Sequence, residues 1–247
     1  MWEAETNADK CEVLQKTFFL EQPASDTHED PAEYPMPRFS FTPITDTHIR
    51  RSIAKLAPFK APGADGIMNV VFTRCADLLV SHLGPIYRAT FALKVYPRQW
   101  KNSVTVVLRK PGKPDYTVPG AHRPIALLNT MAKVLSACVA ENLVYMAETH
   151  NLLPENHFGC RPGRTTTDSL HYVTKYVKDA WRKSEVVSAL FLDVKSAFPS
   201  VVLGRLLHDM RRRGVPVEYT EWIRRKVEGR TTTLTFDGYT SEPINLT

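Results

Sequence analysis

Residues 185–202, EVVSALFLDVKSAFPSVV, place an acid directly after an apolar run. Residues 186–192 have the length and composition of a buried strand, and Asp193 follows at once. A carboxylate at the end of a buried strand costs free energy unless it is paired, hydrogen-bonded or bound to a metal. Two interpretations remain open: Asp193 caps the next helix, as Asp commonly does, or it binds Mg²⁺, which prefers hard oxygen ligands.

The composition describes a chain that can bury a core and has no membrane-spanning signal. It has 247 residues, 43% of them hydrophobic, without a run of 18 apolar residues. No basic segment followed by an apolar one opens the sequence, so a secretory leader is not expected. Four scattered cysteines without a CxxC pair favour free thiols in a reducing compartment. We therefore expect an intracellular protein with no membrane partner.

Charge is divided unevenly along the chain. Residues 1–38 contain nine acids and three Lys or Arg, a net charge of −6, so the whole-chain value of +6 leaves +12 for residues 39–247. A basic body favours a polyanionic partner such as nucleic acid. The acidic segment 1–38 shows no sustained period and contains EDPAEYPMPR, which predicts a disordered linker or arm.

The rest of the sequence mixes helical and strand patterns. Helical spacing places Ile49, Ile53 and Leu56 on one face of a first helix, which the turn-rich loop FKAPGADGI separates from the next. Further helices are predicted over residues 68–79, 81–94, 131–149, 170–181, 202–213 and 219–227. Residues 104–108 and 124–128 predict two strands joined by a long turn, and Asp237-Gly238 predicts a type I′ hairpin. This mixture predicts an α+β protein rather than a bundle or a sandwich.

Two cations flank the long turn. Lys110 ends the first strand and Arg123 begins the second, so a hairpin would bring both to one side. A planar guanidinium beside an ammonium suits a triphosphate. The alternative is a solvated basic hairpin without a ligand.

A second basic segment, GCRPGRTTTD, carries Arg161, Gly163 and Arg164 before a predicted helix. Glycine allows close approach of a ligand to the backbone, and arginine binds phosphate. The segment also fits a helix-entry loop capped by Thr167 or Asp168, and both interpretations can hold together. It lacks the GxxxxGK[ST] pattern of a P-loop.

Read in order, these segments resemble the reverse transcriptases of non-LTR (LINE-like) retrotransposons. The resemblance runs from about Phe39 to Thr247, and its blocks are KAPGADGI, WKNSVTVVLRKPGKPDY, HRPIALLNTMAKV, HFGCRPGRTTTDSL, FLDVKSAFPSV and TTTLTFDGYTSEP. It implies an RNA-directed DNA polymerase with a right-hand fold, partnered by an RNA template, a DNA primer and dNTPs in the cytoplasm and nucleus. The sequence does not determine an oligomeric state.

For the palm, the resemblance implies a metal ligand and a sugar gate. Asp193 matches the acid that binds both catalytic Mg²⁺ ions, and the backbone carbonyl of Val194 matches a further metal ligand. Phe198 matches the aromatic residue that excludes a ribose 2′-hydroxyl, because a ring packed under the sugar leaves no room for it.

For the fingers, the resemblance implies contacts to phosphate. Lys110 and Arg123 match the pair that holds the incoming triphosphate. Arg161, Gly163 and Arg164 match the loop that contacts template and nucleotide.

The sequence departs from the family pattern after the last hairpin. It contains neither the Gly-rich second palm block nor an adjacent Asp-Asp pair. We therefore expect a fragment with an arm over residues 1–38, fingers over 39–182, and the start of an incomplete palm over 183–247. A two-metal site needs several fixed oxygens, so we expect no activity from the fragment alone. The alternatives are a non-catalytic nucleic-acid-binding remnant or a group II intron-type reverse transcriptase fragment.

Overall fold

The computed structural model describes residues 6–20, 33–194 and 196–246, and it confirms a mixture of helices and strands. The helices are α1 (Asn7–Phe18), α2 (Asp46–Ala54), α3 (Asn69–Arg74), α4 (Ala76–Ala92), α5 (Thr130–Thr149), α6 (Thr166–Arg182), α7 (Leu203–Arg212) and α8 (Val217–Val227). The strands are β1 (Asn102–Arg109), β2 (His122–Leu128), β3 (Arg230–Phe236), β4 (Tyr239–Thr240) and β5 (Ile244–Leu246). Within the described ranges, no helix combines the length and the apolarity that a membrane span requires.

The five strands form one sheet in the order β2-β1-β3-β4, with β5 also paired to β3. The antiparallel β1–β2 hairpin is the one predicted from the sequence, and Leu108 lies opposite Arg123 in it. Strands β1 and β3 pair in parallel, and the buried hydroxyls of Thr105 and Thr232 lie 2.8 Å apart across that pair. The sheet therefore contains strands from both sides of the boundary expected at residue 182.

The turn between β3 and β4 has the predicted type I′ form. Asp237 has a φ of 45° and Gly238 a φ of 76°, and this turn type requires positive φ at both central residues. The turn predicted from the Asp-Gly pair is therefore confirmed by the backbone dihedral angles.

The chain divides into two compact units, residues 1–140 with 198–247 and residues 141–197. In the first unit, aromatic rings fill the space between α4 and α8. Trp222 stacks on Phe91 with ring centroids 5.5 Å apart, and its Nε1 donates a hydrogen bond of 3.1 Å to Thr90 Oγ1. Ile49 and Ile53, predicted as the apolar face of the first helix after the arm, are almost fully buried there.

Part of the predicted arm is helical. Helix α1 begins with a capping box in which Thr6 and Asp9 bond to each other's backbone. Cys11, Leu14 and Phe18 are buried against the end of the sheet, where they meet Leu234, Phe236 and Ile244. The expectation of disorder is therefore wrong for Asn7–Phe18; residues 1–5 and 21–32 of the arm lie outside the described residues. Cys11, Leu14 and Phe18 are three and four positions apart, which is helical spacing. Acidic residues beside them hide this apolar pattern in the sequence.

The strand predicted over residues 186–192 is absent. This stretch has no regular structure, and Val186, Phe191 and Leu192 are 94%, 85% and 84% exposed. A strand needs a neighbour to accept and donate its backbone hydrogen bonds, and none of the five described strands pairs with this stretch. This apolar stretch therefore pairs with no strand among the described residues.

Candidate nucleotide and nucleic-acid site

The β1–β2 hairpin brings Lys110 and Arg123 to the same face of the sheet. Lys110 continues the ladder beyond β1, since its backbone N–H donates to Ala121 O at 2.8 Å. Side chains alternate along a strand, so Lys110 lies on the face of Leu108, whose cross-strand partner is Arg123. The two cations are thus diagonal neighbours, separated by about 7–8 Å between backbone positions.

Both cations can reach a ligand. Arg123 is exposed, and no described acid forms an ion pair with Lys110 or Arg123 within 4.0 Å. The Lys110 ammonium donates one hydrogen bond of 2.8 Å to Gly120 O, which leaves two of its three donors for a ligand. Leu108 and Ile125 lie on the same face and are 48% and 40% exposed. This face therefore offers an ammonium and a guanidinium beside an apolar strip.

The opposite face of the hairpin was not identified from the sequence. Arg109 and His122 lie opposite each other on it, and the Arg109 guanidinium stands 5.3 Å above the ring of Tyr116. With Lys10 and Leu14 of α1 they line a cavity of about 340 Å³. Arg109 and His122 lie within two of the family-like sequence blocks, next to Lys110 and Arg123. The sequence gives them no role of their own, because the cavity also depends on α1, which was predicted to be disordered.

Arg161 is buried and bonded within its own unit. Its Nε and one terminal nitrogen donate to the two carboxylate oxygens of Glu148 at 2.8 and 2.7 Å, and its other terminal nitrogen donates to Pro154 O and His157 O. These hydrogen bonds hold the pKa of Glu148 below its usual value. Four of the five guanidinium N–H groups are thereby used. Arg161 holds the loop in shape, and its role as a ligand for phosphate stays a prediction.

Arg164 lies three residues further along the loop and is partly exposed. Its guanidinium stands 5.5 Å from the centroid of the Phe158 ring and donates to the backbone carbonyl of Glu155. Gly163 makes the turn between the two arginines with a φ of 70°. Of the two loop arginines, Arg164 is the one that faces solvent.

The entry to α6 is capped differently from the sequence prediction. Thr165 is the N-cap, with its hydroxyl accepting from the backbone N–H of Asp168. Asp168 accepts in return from Thr165, and these hydrogen bonds lower the pKa of Asp168. The predicted caps, Thr167 and Asp168, therefore lie inside the helix, where Asp168 completes the capping box.

The block KAPGADGI is tied to the end of β2. A Cβ added to Gly63 would lie 2.5 Å from the backbone of Leu128 and Asn129. Thr130 donates from its hydroxyl to Ile67 O at 3.0 Å. The glycine is required there because two backbone segments approach each other closely.

The predicted palm residues lie on exposed chain. Asp193 and Val194 directly follow residues 186–192, lack regular structure and are exposed, and Phe198 is 91% exposed. No group of three or more His, Cys, Asp and Glu side chains arranged to hold a metal ion occurs within residues 6–20, 33–194 and 196–246. The described residues therefore do not fit a two-metal centre, which needs several fixed oxygens around the ions.

Comparison with known proteins supports the family resemblance seen in the sequence blocks. The family model "Reverse transcriptase (RNA-dependent DNA polymerase)" matches residues 108–243, more than half of the chain. Curated relatives from Drosophila melanogaster include the probable RNA-directed DNA polymerase from transposon BS, 29% identical over 85% of this chain, and that from transposon X-element, 29% identical over 83%.

A third relative is the RNA-directed DNA polymerase from mobile element jockey, also of Drosophila melanogaster, 27% identical over 86% of this chain. The matches cover 22%, 22% and 23% of these three relatives, so the chain spans about a fifth of their length. The family match and these relatives together show that the chain belongs to the reverse transcriptase (RNA-dependent DNA polymerase) family, as a LINE-like retrotransposon member.

Proposed function

We propose that this chain is the nucleotide- and template-binding part of a retrotransposon RNA-directed DNA polymerase. In this proposal residues 39–182 are the fingers of a right-hand polymerase and residues 183–247 begin its palm. The complete enzyme adds dNTPs to the 3′-hydroxyl of a DNA primer along an RNA template, in the cytoplasm and nucleus. The family membership of the chain supports this assignment.

The placement of Lys110 and Arg123 is the observation that carries the proposal. The hairpin register puts the two cations on one face, without an acid to neutralise them among the described ion pairs. A triphosphate presents several anionic oxygens within a few ångströms, and two neighbouring cations bind it better than one. We assign the phosphate contacts of the incoming dNTP to this pair.

The loop contributes through its exposed arginine. Because Arg161 is engaged by Glu148 and two backbone carbonyls, we propose that it positions the loop and that Arg164 and the backbone around Gly163 face the nucleic acid. The basic balance of residues 39–247 supports binding to the phosphate backbone.

Catalysis is proposed for the complete polymerase only. Asp193 and the carbonyl of Val194 would be ligands of Mg²⁺, and Phe198 would lie under the sugar and exclude a 2′-hydroxyl. In the described structure Asp193 lies on exposed chain, and no group of three or more His, Cys, Asp and Glu side chains placed to hold a metal ion occurs among the described residues. We therefore propose that the 247-residue chain binds nucleic acid but does not extend a primer.

Primer extension and binding measurements test the two halves of this proposal. Purified chain with a template–primer, dNTPs and Mg²⁺ is expected to give no extension, and robust synthesis would refute the inactivity. Binding of the same duplex, followed by fluorescence anisotropy, is expected to weaken steeply with salt. Binding of a fluorescently labelled dNTP tests the cation pair. Lys110→Ala and Arg123→Ala should each weaken it, whereas Lys113→Ala, in the exposed turn between the strands, serves as the control.

The alternative is a remnant that binds nucleic acid without belonging to an active enzyme. The exposed apolar stretch 186–192 is the observation that favours it, since no described strand covers it. Adding a polypeptide with the remaining polymerase sequence distinguishes the two. Restored primer extension supports the polymerase, and continued inactivity of a folded mixture supports the remnant. A group II intron-type origin is a further alternative that shares the same phosphate contacts.

A further inference from the structure

A cavity opens between the arginine loop and helix α6. Its volume is about 460 Å³, and it is lined by Glu155, Asn156, Phe158, Arg164 and Tyr172. All five residues belong to the unit formed by residues 141–197. The volume lies within the range of pockets that hold small organic groups.

The walls of the cavity are mostly flat π systems. The rings of Phe158 and Tyr172 are 5.8 Å apart and tilted by 52°, and the planar guanidinium of Arg164 lies 5.5 Å from the Phe158 centroid. Tyr172 is 53% exposed, so its side chain is accessible to a ligand. The Asn156 side chain adds a donor and an acceptor of the kind that reads the edge of a base.

Hydrogen bonds of Arg161 fix the loop that carries Phe158 and Arg164. Arg161 joins the backbone at Pro154 and His157 to Glu148 of α5, with hydrogen bonds of 2.7 to 3.1 Å. The cavity wall is therefore built before a ligand arrives, which reduces the ordering cost of binding.

A basic stripe continues from the cavity along α6. His171, Lys175, Lys178 and Arg182 follow at helical spacing and line a second groove of about 310 Å³ with Thr174 and Asp179. Lys175 and Arg182 both lie within 4.0 Å of Asp179, so one acid serves two cations. The stripe therefore has a net positive charge beside the aromatic cavity. Such a charge suits a single strand of nucleic acid, which carries one phosphate per nucleotide.

We propose that Phe158, Tyr172 and Arg164 form a subsite for one unpaired nucleobase of a single strand, whose phosphates follow the basic stripe of α6. The inference rests on the proposed nucleic-acid-binding function and deepens it by naming the site. The two aromatic rings favour a ligand with an uncovered flat face, because such a face can stack on them. Bases of a duplex are covered by their neighbours, whereas an unpaired base can turn out and stack on aromatic side chains.

The test compares a labelled twelve-residue oligothymidylate with the same strand built of abasic units, by fluorescence anisotropy at low salt and with the full 247-residue chain. Tyr172→Ala is expected to weaken binding of the thymidylate strand about tenfold, in line with the effect of removing one stacking partner. Binding of the abasic strand should not change, because its phosphates remain. Tyr172→Phe should bind as the wild type does, since it keeps the ring.

Tyr145→Ala is the matched control. Tyr145 is a 64% exposed tyrosine on α5 in the same unit, and it lines neither groove. Equal effects of Tyr172→Ala and Tyr145→Ala would overturn the subsite, as would an equal loss for thymidylate and abasic strands. Displacement of the strand by dTTP that depends on Tyr172 would assign the cavity to a free nucleotide and also overturn the proposal.

The outcomes separate this inference from the proposed function. If the wild-type chain binds the strand in a salt-dependent manner and Tyr172→Ala is neutral, only the subsite fails. If the wild-type chain binds neither strand, nucleic-acid binding itself is refuted and the subsite with it.

Discussion

Replacing Leu14 by alanine tests whether α1 is docked on the sheet. Leu14 is 2% exposed and packs in a cluster with Leu234, Phe236 and Ile244. Buried Leu→Ala substitutions cost about 2–5 kcal/mol, and about 3 kcal/mol is expected here because the side chain is almost fully buried. Since about 1.4 kcal/mol corresponds to a factor of ten, α1 should open up to about a hundredfold more often.

Thiol labelling followed by mass spectrometry measures that opening directly. Cys11 on α1 and Cys138 in α5 are buried, whereas Cys75 and Cys160 are exposed. Burial also raises the pKa of the Cys11 thiol, which slows its reaction further. In the wild type, Cys75 and Cys160 should react first. In Leu14→Ala, Cys11 should join them while Cys138 stays protected.

Val13→Ala is the control on the same helix, because Val13 is 37% exposed and outside the cluster. It should leave the Cys11 labelling rate close to that of the wild type. Two results would refute the reasoning: rapid labelling of Cys11 in the wild-type chain, or a Cys11 rate that Leu14→Ala leaves unchanged. Either would mean that α1 is not held by this contact.

Two further predictions concern burial of charge and close backbone packing. Burial lowers the pKa of Lys226 to about 8, so between that pH and the usual lysine value the unfolded chain binds more protons, and stability should rise with pH. Lys226→Met should raise the free energy of unfolding at pH 7, measured with urea, and should reduce its increase with pH. The exposed control Lys175→Met should do neither. If the two variants gave the same dependence of stability on pH, burial of Lys226 would be contradicted. Gly63→Ala should destabilise by about 1–3 kcal/mol through overpacking, whereas Gly120→Ala, with nothing within 4 Å of its added Cβ, should be neutral in thermal unfolding.

The candidate site divides into a part that sequence reasoning could place and a part that it could not. Lys110 and Arg123 flank a short hairpin, and strand alternation alone puts them on one face. Arg161 and Arg164 look equivalent in the sequence, yet one is buried by Glu148 and the other is open. The difference comes from α5, whose contact with the loop carries no local sequence signal. Tyr172 was likewise not singled out, because its partner Phe158 lies fourteen positions away.

Residues 186–192 show a case in which the sequence pattern does not predict the observed structure. Its apolar residues predict a strand, and in the described structure they are exposed without pairing. Strand propensity expresses a fit to a pleated, half-buried surface, and it has no effect until a neighbouring strand supplies that surface. Asp193 therefore remains a predicted metal ligand on a segment whose partners are not among the described strands.

The sequence by itself determined the elements whose causes are local. Periodic apolar residues predicted α2, α5, α7 and α8, the Asp237-Gly238 pair predicted its turn, and the ordered blocks predicted the family. These signals act between residues a few positions apart, where backbone geometry decides which side chains share a face.

Only the tertiary structure decided which distant segments meet. It paired β1 with β3 in parallel, docked α1 against the far end of β3, and separated the roles of the two loop arginines. Each outcome depends on apolar area and hydrogen-bonding groups being buried by a partner far away in sequence. That partner's position follows from the packing of the whole unit, because burial is a property of the surroundings and not of the segment itself.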